Sequence, residues 1–108
     1  MQWIENNLVD DVSKCIVGYN KGGGECNDWA EVDVYDSNDN RIEDEDLHNW
    51  VFIREEFEEV SEDDGEHTFP IKNVVTGEIG YVECRSSNNG YYSAGYWTSM
   101  DTPLEEMR

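Results

Sequence analysis

The sequence predicts an α+β fold, with an N-terminal amphipathic helix packed on an antiparallel sheet of four or five strands. Three observations predict it. Apolar residues recur at helical spacing over 2–16, apolar and polar residues alternate over 29–35, and the C-terminal third holds β-rich runs separated by turn formers. At 108 residues the chain suits a single domain, 1–108, with no internal repeat and no linker.

The elements follow in order. Over 2–16, Ile4, Leu8, Val12 and Cys15/Ile16 share one face of a helix, with Trp3 alongside. Glu5, Asp10 and Asp11 take the polar side, Lys14 suits the C-terminal end of the dipole, and Gly18 can end the helix. The acidic polar side argues against a membrane-surface helix, which wants Lys and Arg there. Residues 20–28, NKGGGECND, read as a loop; the glycines lack the Gly-Lys-Ser/Thr ending of a phosphate cradle. From Trp29 to Tyr35, Ala30, Val32 and Val34 point one way and Glu31, Asp33 and Tyr35 the other, the pattern of a half-buried strand. Asp36 to Asn40 is turn chemistry. In 47–60 the run Trp50–Ile53 favours a strand over 49–55 against a partial helical pattern of Leu47, Trp50, Phe57 and Val60. Residues 61–65 read as an acidic loop. Strands are expected over 67–75 and 78–85, joined through Thr76-Gly77, and over 91–98, entered by a hairpin turn at Asn88-Asn89-Gly90.

Charge dominates the composition. The chain carries 26 acidic residues against 7 basic ones, a formal net charge of -19. Between Glu31 and Gly65 lie 15 Asp or Glu and two bases, Arg41 and Arg54. Such a balance is also a signature of disorder. However, Trp50, Val51, Phe52, Ile53, Phe57 and Val60 run through the same stretch, and the chain has four Trp, six Tyr and three Phe. Acid interleaved with large apolar groups points to a folded body with a charged skin. That skin repels nucleic acid and membranes and attracts cationic protein surfaces. A net charge of magnitude about 2–8 suffices for solubility in a small domain, so the excess calls for another reason.

Catalytic and metal chemistry find little purchase. His48 and His67 are far apart in sequence and belong to no triad or metal motif. Carboxylate pairs carry no information when 26 acids guarantee some pair at a glycosidase separation. Glu83-Cys84-Arg85 is an imperfect echo of a nuclease element, on a chain that would repel its own substrate. Asp36, Asn38 and Asn40 sit at the first, third and fifth positions of an EF-hand loop, but the sixth is Arg41 and the twelfth Leu47 where Gly and Glu are required. The reading is therefore not an enzyme, with no cofactor and no metal. Tyr91, Tyr92, Tyr96 and Trp97 lack the positive groove of a base-stacking platform and read as core or interface. Cys15, Cys26 and Cys84, an odd count without zinc spacing, read as reduced, mostly buried thiols of a cytoplasmic protein, with a Cys15–Cys26 bridge as the alternative. The N-terminal stretch has neither a basic region nor a continuous apolar run, so no signal peptide is expected.

The expectation is a decoy. Duplex DNA presents one negative charge per ~1.7 Å of axis. Side chains on one strand face repeat every ~6.6–6.8 Å, and helix neighbours lie ~5–6 Å apart, so rows of carboxylates on a scaffold can approximate phosphate spacing. The expected contact residues are Glu31, Asp33, Asp36, Asp39, Glu43, Asp44, Glu45, Asp46, Glu55, Glu56, Glu58, Glu59, Glu62, Asp63 and Asp64. Tyr35, Trp50 or Tyr91 would serve as apolar anchors. In small size, charge and absence of catalytic motifs the chain resembles phage-encoded acidic DNA-mimic inhibitors, the anti-restriction and anti-CRISPR class. The resemblance is one of character over the whole chain, not of motif. It implies stoichiometric occupation of the basic channel of a nucleic-acid-binding protein or nuclease, with no direct nucleic-acid or membrane binding, by a monomer or small homo-oligomer. An immunity protein against a basic nuclease toxin has nearly the same physics. A calcium- or carbohydrate-binding β module is the alternative from another class.

Overall fold

The computed structural model describes residues 1–20, 29–62, 65–87 and 94–100. It corrects the α+β expectation: the described residues form two antiparallel sheets and two short 3-10 helices, with no N-terminal helix. The elements are β1 (Gln2–Ile4), β2 (Asn7–Asp10), β3 (Cys15–Asn20), β4 (Trp29–Tyr35), the 3-10 helix η1 (Asp44–Asn49), β5 (Trp50–Phe52), the 3-10 helix η2 (Arg54–Glu56), β6 (Ser61–Glu62), β7 (Gly65–Asn73), β8 (Ile79–Ser87) and β9 (Gly95–Met100). One sheet has the order β1-β2-β3-β9-β6, the other β4-β8-β7-β5.

The first seventeen residues fold as strands because turn formers interrupt them twice. Ile4 pairs with Asn7 across a two-residue loop, Glu5-Asn6, in which Glu5 adopts φ 55°. Asp10 pairs with Cys15, and the turn between them is closed by Lys14 N–H on the Asp10 carbonyl at 2.9 Å. The Asp10 carboxylate braces that turn, accepting from Val12 N–H at 3.1 Å and Ser13 Oγ at 2.5 Å. The spacing of Ile4, Leu8 and Val12 imitates a helix by coincidence. Leu8 is buried in the core, whereas Val12 stands 79% exposed at a turn tip.

Gly18 ends no helix. It sits mid-strand in β3, opposite Trp97, and the indole and the Asn7 side chain occupy the space where a Cβ would go. The alternation over 29–35 is strand β4, paired along its length with β8. The expected strand over 49–55 shrinks to three residues between the two 3-10 turns. The expected strands 67–75 and 78–85 are β7 and β8, each shifted in its bounds, and their turn carries Gly77 at φ 80°. Asn88-Asn89-Gly90, Tyr91 and Tyr92 lie outside the described residues. The strands on either side, β8 and β9, belong to different sheets and do not pair as a hairpin. Cys26 also lies outside; Cys15 and Cys84 are buried.

The sheets face each other across a shared core. Leu8, Cys15, Val17 and Tyr96 come from one sheet; Val32, Val34, Phe52, Phe69, Ile71, Val82 and Cys84 come from the other. Edge strand β5 shows how the two are tied. Asn49 and Ile53 turn their backbone groups toward β7, accepting from Val74 N–H at 2.8 Å and donating to the Pro70 carbonyl at 3.3 Å. The outward groups of β5 are taken by the other sheet: Phe52 N–H donates to Asp10 Oδ2 at 2.8 Å, and the Trp50 carbonyl accepts from the Met1 ammonium at 2.8 Å. That ammonium also donates to the Leu47 carbonyl at 3.0 Å, and burial lowers its pKa against the opposing pull of Asp10. Asp10, which a helix would have placed in solvent, is 2% exposed and bonded to both sheets. Among the described residues, no helix is long and apolar enough to cross a membrane.

Candidate protein-interaction surface

The acidic stretch is built as a strap with its apolar residues turned inward. Leu47, Trp50, Phe52 and Phe57 are buried. Phe57 meets Phe52 edge-on with ring centroids 5.0 Å apart and lies 4.9 Å from Phe69. The two 3-10 turns reverse the chain between these anchors: Asp46 N–H donates to the Glu43 carbonyl and Glu56 N–H to the Ile53 carbonyl, both at 2.9 Å. The last stretch is fixed to β9, where Val60 N–H donates to Thr98 Oγ1 at 2.7 Å and Thr98 N–H to the Val60 carbonyl at 2.9 Å. Leu47, Trp50, Phe52 and Phe57 are committed to the core, and the carboxylates between and beside them face solvent. Glu43, Asp44, Glu45, Asp46, Glu55, Glu56, Glu58 and Glu59 are all exposed. Glu59 also accepts from Met100 N–H at 3.1 Å.

The other expected contact residues divide. Glu31 and Asp33 lie on the outer face of the four-stranded sheet and are neutralised there: Arg85 bonds Glu31, and Arg41 lies 3.1 Å from Asp33. Arg85 also lies 3.2 Å from Glu83, whose position is directly opposite Asp33 in the ladder. The two arginines thus offset a like-charge cross-strand pair. Asp36 serves its own turn, its Oδ1 accepting from Asn38 N–H at 2.9 Å and Asn40 N–H at 3.0 Å. Asp39 accepts from Tyr81 Oη at 2.7 Å, and this bond pushes the phenol up to about 12. Glu62 lies on β6, beside β9; Asp63 and Asp64 lie outside the described residues.

The structure also brings in an acid that sequence proximity hides. Glu78, at the start of the β8 hairpin arm, receives Ser37 N–H at 3.0 Å and Ser37 Oγ at 2.7 Å. It thereby joins Asp36, Glu43 and Asp46 around one open pocket of about 270 Å³ that also holds Arg41. No local signal marks this residue, because the contact spans 41 positions.

The expected anchors change as well. Trp50 is 3% exposed and is a core residue, and Tyr91 lies outside the described residues. Tyr35 remains half-exposed, stacked on Tyr81 at 5.2 Å.

The carboxylates are unevenly spread. In the five-stranded sheet the positions on the face opposite Leu8, Val17 and Tyr96 are Gln2, Ile4, Asn7, Val9, Ile16, Gly18, Asn20, Ser61, Gly95, Trp97 and Ser99, with no acid among them, and Val9, Ile16, Gly18 and Gly95 are buried there. The strap from 43 to 59 carries eight acids in seventeen positions. Ion pairs join Lys14 to Asp11, Arg41 to Asp33, and Arg85 to Glu31 and Glu83, and none of these four engages a carboxylate of the strap. Comparison with protein-family models, with curated proteins and with solved structures gave no match to this chain.

Proposed function

We propose that the protein is a stoichiometric, non-enzymatic inhibitor that mimics the phosphate charge of a nucleic acid. It occupies the basic channel of a nucleic-acid-binding defence protein, such as a CRISPR effector or restriction enzyme. One observation carries the reading: eight exposed carboxylates lie on a strap pinned by buried Leu47, Trp50, Phe52 and Phe57, while one sheet face has none. Fixed charge needs little reordering on binding, so more of the electrostatic attraction appears as affinity. Rows of fixed carboxylates meeting lysines and arginines also steer association and displace the partner's counterions.

The test is capture on the immobilised protein from bacterial lysate at low salt, with elution by salt and by duplex DNA. The expected result is a basic nucleic-acid-binding protein released by both eluents. Asp44→Lys, Glu45→Lys and Asp46→Lys together should weaken the complex at least tenfold, since close interfacial charge pairs couple by about 1.5–7 kcal/mol. Capture that ignores salt and DNA, or that survives reversal of every acidic cluster on the strap, overturns the proposal. A captured nuclease toxin would assign the same chemistry to an immunity role.

A further inference from the structure

Among the described residues, the anionic skin is interrupted by an apolar groove with cations at its rim. A shallow groove of about 550 Å³ runs between the β2–β3 turn, strand β5 and the turn end of the β7–β8 hairpin. Val12, Val51, Ile53 and Ile79 line it, with Arg54, Lys72 and Glu55 beside them. Val12 is 79% exposed and Ile79 48%, and Val74 and Val75 on the adjoining turn are also exposed. The turns that present these residues are braced. Asp10 holds the Val12 turn, Arg54 Nη1 donates to the Ser13 carbonyl at 2.7 Å, and Asn73 Oδ1 accepts from Val75 N–H at 2.8 Å and Thr76 N–H at 3.1 Å. A pre-formed, exposed apolar surface marks an association site.

We propose that two copies of the chain associate through this groove, about a two-fold axis. Charge decides the occupant. Two molecules of net charge -19 repel, and they approach with least opposition where apolar groups are flanked by bases. A two-fold interface must complement itself. This rim does so, since it offers one exposed acid, Glu55, and two exposed bases, Arg54, which is turned to the Ser13 carbonyl, and Lys72, which makes no ion pair among the described residues. Across the axis, Glu55 of each copy faces Lys72 of its partner, twice over. The rest of the strap, Glu43 to Asp46, lies outside the groove.

The protein alone suffices for the test, so its outcome is independent of any inhibited target. Sedimentation equilibrium should show a concentration-dependent dimer that strengthens as salt rises to ~0.5 M, because salt screens the long-range repulsion while leaving apolar burial intact. Val12→Asp and Ile79→Asp should each yield a monomer with an unchanged thermal melt, since both side chains point into solvent. Glu55→Lys or Lys72→Glu alone should weaken the dimer by about two- to tenfold, and the double reversal should restore it. A monomer at every concentration and salt, a dimer indifferent to Val12→Asp and Ile79→Asp, or a double reversal no tighter than the singles overturns the proposal.

Discussion

At the scale of single residues, the least expected feature is a buried acid in a chain that exposes most of its acids. Asp10 joins the two sheets through Phe52 N–H and holds the β2–β3 turn through Val12 N–H and Ser13 Oγ. Asp10→Ala leaves the buried Phe52 N–H unpaired and the turn donors to solvent, so a loss of about 1–3 kcal/mol for the one group stranded from water is expected in urea unfolding. Gly18 is a second such point, because any side chain there meets the Trp97 ring. Gly18→Ala should destabilise by about 1–3 kcal/mol through overpacking, and by much less in a Trp97→Ala background, a double-mutant cycle that isolates the contact. Cys84 is a third. Burial, with Glu83 adding to it, pushes its thiol from an ordinary 9.0 up to about 12. The folded pKa exceeds the unfolded one, so this contribution to stability is complete below pH 9 and is lost as pH climbs from about 9 toward 12. Stability measured across that window should fall with pH, and less steeply in Cys84→Ala. Of these three residues the sequence marked only the cysteine as buried. Asp10 and Gly18 were misread because their roles depend on a strand partner and on an indole 79 positions away.

At the scale of elements, the strap explains how a segment can be both acidic and ordered. Leu47 and Phe57 place buried apolar groups within and just after the 3-10 turns, and the acids that flank them, Glu43 to Asp46 and Glu55, Glu56, Glu58 and Glu59, are left exposed. Phe57→Ala removes a ring packed on Phe52 and Phe69 and should cost about 3–5 kcal/mol in a thermal or urea melt. Reversal of Asp44, Glu45 and Asp46 touches only solvent and should leave the melt unchanged or raise it as repulsion is relieved. The contrast between the two variants separates anchor from skin. The same logic shows why the N-terminal stretch defeated a helical reading. Asn6, Asn7, Asp10, Asp11 and Ser13 favour turns over helix interiors, and two such clusters between positions 6 and 13 allow a meander whose apolar residues coincide with a helical period. Where alternation was uninterrupted, as over 29–35, the strand was legible with its bounds.

At the scale of the whole molecule, charge sets the balance. Eight carboxylates on one strap and a net charge of -19 oppose compaction, and the shared core between the sheets must outweigh that repulsion. Salt should therefore raise the melting temperature from low ionic strength to ~0.15 M, with the Debye length contracting to about 8 Å. A melt insensitive to salt would show that the strap charges are already balanced in the fold. The acid excess and its concentration between positions 31 and 65 were legible as a candidate surface, but not its division. Glu31 and Asp33 are neutralised by arginines that arrive from the next strand and the following turn, whereas Glu43 to Glu59 are not.

The sequence by itself determined that this chain would be an acidic body with an apolar interior, because composition fixes net charge and aromatic content whatever the topology. It also determined the strands whose alternation was unbroken and the turn at Asp36 to Asn40, since these depend on residues adjacent in the chain. Only the tertiary structure decided that residues 2–20 form strands β1 to β3, that Asp10 and Trp50 are interior, and that Glu78 joins Asp36, Glu43 and Asp46. The physical reason is the same in each case. These outcomes turn on partners tens of residues away, and a local period or charge count carries no information about which strand will lie alongside.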